Sequence, residues 1–459
     1  MEARMSSRRR KALCILCGGA LAALAASAAQ AATAPVDTAQ AVQGKQAVLS
    51  APRAPRAGEK GGPGLALLAR KALAVPFEGP QVVDNAVLLV KDGKIEALGP
   101  ARTTPIPAGY EVVDVGDKWL MPGMIDLHTH IGGTFDINDM VYLVNPGLRV
   151  STSVVPKNEA LKLDLASGVT TVLFIPGSGV NMGGQGILLK TGHEHYEDAK
   201  LRFPGSLKIA QAGNPERYLM GIGRSFMNWD LRAMLTRGMA YGKRWLAYEK
   251  DGGPRPERNF DLDVFPELAA KRTQVSTHTQ MFQVVLRTIT MLRLEFGLDC
   301  YIDHGEMAGY RAAELARDSG VQAIIGPREV EVPTQQFIAW TGANPEALLG
   351  IGAEYQKRGM KMIGFNTDAP VIPAEELQLQ AGMAGHYGMD FSNLEGVRGL
   401  TIIPAKTAGI DQRIGSLEPG KDADVLVISG DPADPRKWVE KVLSDGKWVY
   451  DSNKERRLW

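Results

Sequence analysis

The sequence predicts an α/β fold: a (β/α)8 TIM barrel with a small flanking β-sandwich domain built from both chain ends. Three observations predict it. Eight short apolar runs alternate with longer helix-like stretches between residues 120 and 405. Two β-rich stretches punctuated by turn signals flank that interval. Almost every histidine stands at the end of one of the eight runs.

The elements follow in chain order. Arg8, Arg9, Arg10 and Lys11 precede an apolar run over 12–26 and then Ala29-Gln30-Ala31, a small-x-small pattern. This predicts a signal peptide over 1–31 and a periplasmic or secreted protein. The apolar run is shorter than the ~20 residues that span a bilayer, so no membrane insertion is expected after its removal. Residues 32–63 are rich in Ala, Pro, Gly and Gln and predict a linker. Over 64–119, Val87-Leu88-Leu89-Val90 runs into Asp92-Gly93 and then Ile95-Glu96-Ala97-Leu98, a strong hairpin cue. The tail, 406–459, repeats this style around Asp445-Gly446. The interval 120–405 holds candidate strands at 124–127, 169–175, 187–190, 207–210, 274–277, 300–303, 323–325 and 362–365. Eight such units predict a parallel barrel with its chemistry at the C-terminal strand ends.

Composition narrows the function. The formal charge of +1 is near neutral, which gives no reason to expect nucleic acid as a partner. Removing residues 1–31 takes away five basic residues and one acidic one, moving the charge to −3. It also leaves Cys300 as the single cysteine, so no internal disulfide is expected.

His128-Thr129-His130 ends the first predicted strand. Residues i and i+2 of a strand point to one side, so both imidazoles face one point. Neutral imidazole is a common metal donor. His278, His304, Asp368 and Lys208 lie at or near other strand ends. Together these six are the expected metal ligands. A carboxylate at Asp368 can bind metal and also carry the proton of an activated water, which makes it the expected catalytic residue. The donor set fits a divalent metal, zinc foremost, as one or two ions. Asp126 and Asp303 stand where they could orient ligands.

The run Pro122-Gly123-Met124-Ile125-Asp126-Leu127-His128-Thr129-His130, followed by His278, His304 and Asp368, resembles the amidohydrolase superfamily, and most of all its imidazolonepropionase-like members. Gly168-Val169-Thr170-Thr171-Val172, Pro404-Ala405-Lys406 and the run Gly415-Ser416-Leu417-Glu418-Pro419-Gly420-Lys421-Asp422-Ala423-Asp424 support it. The resemblance implies hydrolysis of an amide, dipeptide-like or cyclic amide bond in a small molecule. It places His128, His130 and Asp368 on a first metal and His278 and His304 on a second. It also makes Lys208 a candidate carboxylated bridge. Similar sequences often carry glutamate where this chain has Gly213. Deamination, or a catalytically inactive metal-binding scaffold, are the alternatives.

Two further features are read from the residues. His193-Glu194-His195 follows the third predicted strand, which makes His193 and His195 candidate substrate contacts at the barrel mouth. An aromatic, basic insertion over 220–267 reads as a lid, or as a helical hairpin packed on the barrel or on another subunit of a homo-oligomer.

Overall fold

The computed structural model describes residues 63–134, 137–218, 222–332, 334, 335, 338, 339 and 348–455. The expected signal peptide, and the linker up to residue 62, lie outside the described residues. All described residues belong to one compact unit, Gln46–Trp459. Among them no helix is long and apolar enough to cross a membrane.

The first five and the last three described strands enter one sheet. Its strands are β1 (Leu65–Leu73), β2 (Val82–Lys91), β3 (Lys94–Pro100), β4 (Glu111–Asp114) and β5 (Trp119–Pro122), joined by three strands from the far end. In the order β18-β17-β16-β5-β1-β2-β3, those three are β16 (Val425–Ile428), β17 (Val439–Ser444) and β18 (Lys447–Asp451). The long β1 pairs with β4 along its first half and with β5 along its second. Asp92 and Gly93 both take positive φ, 49° and 77°, as do Asp445 and Gly446, 47° and 73°. Both predicted Asp-Gly hairpins therefore form, because these residues tolerate the left-handed region that tight hairpin turns require. Leu67, Leu88, Ile95, Leu120, Val425 and Leu443 form the buried core of this sheet.

The eight predicted runs all form strands. They are β6 (Met124–Thr129), β7 (Val169–Phe174), β8 (Met182–Lys190), β9 (Lys200–Ala210), β10 (Val275–His278), β11 (Tyr301–His304), β12 (Gln322–Ile325) and, after a short hairpin of β13 (Val330–Glu331) and β14 (Leu349–Gly350), β15 (Ile363–Phe365). They make two sheets, β10-β9-β8-β7-β6 and β11-β12-β15. Bridges Val275–Cys300 and Thr279–His304 join the sheets on one side, and Thr129–Ala369 joins them on the other. Every residue of β6, β7 and β8 is buried, as expected for strands covered on both faces.

One expectation is corrected. The eight strands are not all parallel, because β8 runs antiparallel to both neighbours. Residues 175–181 are too few for the crossover that parallel strands need, about a dozen residues or more. The chain therefore turns straight back. Lys190, at the end of β8, pairs with Thr171 near the start of β7, so this strand end faces away from the ends of β6 and β7.

The insertion contains one long helix, Arg224–Asp251. Its buried residues Met227, Leu231, Met234, Leu235, Gly238, Gly242 and Trp245 recur at helical spacing. The face packs on the helix Phe265–Ala269. A Cβ at Gly238 would fall 2.3 Å from the Phe265 ring, so glycine is needed for this close approach. The insertion thus folds back on its own C-terminal end through this helix pair.

Candidate metal centre

Strand alternation sets the first corner of the site. Ile125 and Leu127 pack into one apolar cluster with Leu173, Ile175 and Tyr301, which turns Asp126 and His128 to the other face of β6. His130 continues that spacing just past the strand. His278 is the last residue of β10, and His304 the last of β11. Lys208 lies near the end of β9, and Asp368 follows β15 by three residues. All six expected ligands are buried, Lys208 completely.

The structure brings these side chains together. Asp368 Oδ1 lies 3.1 Å from His128 Nε2 and 3.2 Å from His130 Nε2, and its Oδ2 lies 4.0 Å from His304 Nε2. His304 Nε2 is 3.0 Å from His278 Nδ1, and Lys208 Nζ is 3.1 Å from His128 Nε2. The donor atoms of His128, His130 and Asp368 fall within 4.8 Å of one another, as do those of His128, Asp303 and His304.

The hydrogen bonds around the cluster fit a cation. His130 Nδ1 donates to the Ile175 carbonyl at 2.9 Å and His304 Nδ1 to the Gly326 carbonyl at 2.8 Å. His128 Nδ1 is 2.7 Å from Asp303 Oδ2. A proton held on Nδ1 leaves Nε2 as a lone pair. Those lone pairs point at a carboxylate oxygen, an arrangement that is repulsive unless a proton or a metal ion lies among them. His278 Nε2 is buried with no hydrogen-bond partner. Imidazole and carboxylate donors at these separations suit a divalent ion.

The electrostatics show the same tension. Burial alone would lower the pKa of His128, but Asp303 and Asp368 outweigh it and push the value up to about 9. Burial and the neighbouring His278 and His128 hold His304 well below its usual value. Burial likewise lowers His278 to about 3 and shifts the Lys208 amine downward. Asp368 is held well below the usual carboxylate range because its histidine neighbours overcome its burial. His304 and Asp368 also stand on left-handed backbone, with φ of +80° and +49°, a conformation that His and Asp accept more readily than most residues.

A second layer fixes the ligands. Asp126 Oδ1 accepts from His128 N at 2.9 Å, and its Oδ2 accepts from the Thr367 hydroxyl. Asn366 Nδ2 donates to Asp303 Oδ1 at 3.3 Å. Both carboxylates named as orienting candidates are thus tied to the loop that carries Asp368. Gly213, at φ +82°, sits beside His278; a Cβ there would lie 3.9 Å from His278 Nε2.

The structure does not bring His193 and His195 to this cluster, which corrects their expected place at the mouth. The cause is the reversed β8. Residues after Lys190 emerge beyond the start of β7, opposite the ends that carry His128 and His130. There His193 Nε2 pairs with Asp445 at 3.2 Å, and His195 precedes the short helix Tyr196–Ala199.

Two buried carboxyls escaped the sequence reading. Glu306 follows His304 by two residues, and Glu329 lies beyond β12 beside Glu306; among the described residues neither oxygen of Glu329 has a hydrogen-bond partner. A Gly-Glu pair after a strand-end histidine was the available signal for Glu306. Glu329 had none.

Residues 316–449 match the profile of the Amidohydrolase family. The chain is 27% identical over 379 residues to imidazolonepropionase of Brucella anthropi, covering 76% of this chain and 88% of that one. It is 23% identical over 422 residues to amidohydrolase tasK of Hapsidospora irregularis, covering 81% of this chain but only 40% of that longer protein. Among solved structures it is similar to an amidohydrolase from Thermotoga maritima MSB8, with a TM-score of 0.74 and 28% identity over 84% of this chain and all of that one.

Proposed function

This chain belongs to the amidohydrolase superfamily, and from that premise we propose that it is a metal-dependent hydrolase of a C–N bond in a small amide, dipeptide-like compound or cyclic amide. One observation carries the reading: the Nε2 atoms of His128 and His130 converge on Asp368 Oδ1 at 3.1 and 3.2 Å. His128, His130 and Asp368 would hold one divalent ion, and His278 and His304 would hold a second if two are present. A bound ion supplies Lewis acidity and lowers the pKa of water towards neutrality.

The chain's own residues do the rest. Asp303 holds the His128 ring, and Asp126 holds the Asp368 loop through Thr367. Asp368, kept ionised by its histidine neighbours, takes a proton from the attacking water and returns it to the leaving nitrogen. Burial moves the Lys208 amine towards its neutral form, the form that adds CO2 with loss of a proton. This supports Lys208 as a carboxylated ligand. Zinc is the ion we expect first, and export is expected from the N-terminal segment.

The same premise extends to architecture. We read 120–405 as a TIM-type barrel, and 64–119 with 406–459 as the flanking β domain. The bridges at both sheet edges support this reading.

The test is elemental analysis of the purified protein, combined with turnover on a panel of amides, dipeptides and cyclic amides. His128→Ala should lose metal from the first position. Asp368→Asn should keep the fold and lose about 10²–10⁴-fold in kcat. Full metal content and full activity in His128→Ala would overturn the assignment.

A further inference from the structure

A second cavity opens at the other end of the strands that carry the histidine cluster. Its volume is about 650 Å³. Arg202 of β9, Gln274 just before β10, Cys300 just before β11 and Gln322 at the start of β12 line it. So does Thr407, the last residue of the helix Ile402–Thr407. His278 and His304 end β10 and β11, and Lys208 lies six residues beyond Arg202. At ~3.3 Å per residue the two sites are ~20 Å apart along β9.

The lining is cationic. Arg202, Lys271, Arg272, Arg293 and Lys406 line it beside a single carboxylate, Asp299. Asp299 is shared by Arg293 at 2.8 Å and Lys271 at 3.4 Å. Arg272 is held from outside by Glu267, and Lys406 lies 3.6 Å from Asp411. Among the described residues Arg202 has no carboxylate partner. Its Nη1 and Nη2 donate to the carbonyls of Ala408 and Gly205, at 2.6 and 2.9 Å.

Three of the lining side chains also carry a buried polar atom with no partner: Arg202 Nε, Gln274 Nε2 and Thr407 Oγ1. Their residues are 5%, 6% and 8% exposed. Buried donors are nearly always paired, and a buried guanidinium without a counter-charge is costly. Here both exceptions occur at one cavity. An anion would answer both at once. The three residues come from separate stretches of the chain: β9, the approach to β10 and the helix Ile402–Thr407. A phosphate offers more acceptor oxygens and more negative charge than a carboxylate, which suits several donors in a cationic lining.

We propose that this cavity is an anion site for a phosphate group, taken either as the free ion or as the head of a phosphate monoester. The site is independent of the histidine cluster. Occupancy stabilises the fold by mass action, since the unfolded chain has no such pocket.

Titration calorimetry and thermal unfolding of the metal-loaded protein test this, with inorganic phosphate, glycerol phosphate and acetate at constant ionic strength. Phosphate should bind saturably at one site and raise Tm, and acetate should bind at least about tenfold more weakly. Tighter binding of inorganic phosphate names the free ion as the source, and tighter binding of glycerol phosphate names the ester. Thr407→Val and Gln274→Met should keep the Tm of the ligand-free protein and each weaken phosphate about tenfold. Arg202→Met should abolish binding. No saturable phosphate heat in the wild type would overturn the proposal. So would phosphate heat that survives Thr407→Val and Gln274→Met undiminished, since that ion would be at the histidine cluster.

Discussion

Asp164, on the helix Glu159–Ser167, is fully buried, and among the described residues neither of its carboxyl oxygens has a hydrogen-bond partner. Burial raises its pKa well above the usual value, with Asp126 and Glu375 adding to the effect. The unfolded chain releases this proton near pH ~4, while the folded protein keeps it. The folded state therefore binds more protons, and this residue makes stability fall as pH rises above that point. Asp164→Asn removes the slope. Its stability advantage over the wild type should grow between pH 5 and pH 8, by up to about 1.4 kcal/mol per unit, in denaturant unfolding. A difference that stays flat would show that Asp164 is already ionised in the fold. At this scale the sequence was informative where chemistry and period coincide. His128 and His130 are two apart on a strand, and His278 and His304 end apolar runs, so their convergence was legible. The partnership of Asp303 with His128 joins residues 175 positions apart, and the sequence offered only a neighbouring carboxylate. Glu329 carried no pattern at all, because nothing in the chain marks a carboxyl that folding will strip of partners.

Among the elements, β8 shows where pattern reading stops. Its apolar run was evident, but alternation has a period of two in either direction and does not encode which way a strand runs. The sequence reading began this strand at residue 187, and the short connection over 175–181 shows only because β8 starts at Met182; that brevity forces the reversal and decides where His193 lies. The reversed strand delivers Lys190 into a buried ionic cluster. Its ammonium lies 2.8 Å from Asp422 and 3.0 Å from Asp424, and it also pairs with Asp445. Despite burial, these carboxylates raise the Lys190 pKa, and Lys190 in turn holds Asp445 below the usual carboxylate range. Lys94 and Arg413 also pair with Asp422, and His193 with Asp445, but Lys190 is the cation that all three carboxylates share. Lys190→Met therefore strands buried negative charge between β8 and the C-terminal strands. The expected cost is about 3–5 kcal/mol, read as a large fall in Tm. Because Lys190 lies at the end of β8 opposite the candidate metal ligands, kcat of the protein that remains folded should be unchanged. A Tm within a degree or two of wild type would refute the role of this lysine.

At the scale of the molecule, the first and last described strands share one sheet, with β16 hydrogen-bonded to β5 across some three hundred residues. That arrangement was legible because the two Asp-Gly hairpins advertise the same kind of structure at both ends. The reversed β8 has a different consequence, for the order of assembly. The strands β7, β8 and β9 are successive in the chain and pair directly with one another, within residues 169–210. The bridge Thr129–Ala369 and the pairing of β5 with β16 wait on contacts hundreds of residues apart. Closing short loops costs less entropy, so the β7–β9 meander is expected to form first and to template the rest. Pulse-labelled hydrogen exchange during refolding should protect the amides of Leu188 and Leu189 before those of Leu426 and Val427. Simultaneous protection would mean that the two ends and the meander fold as a single step.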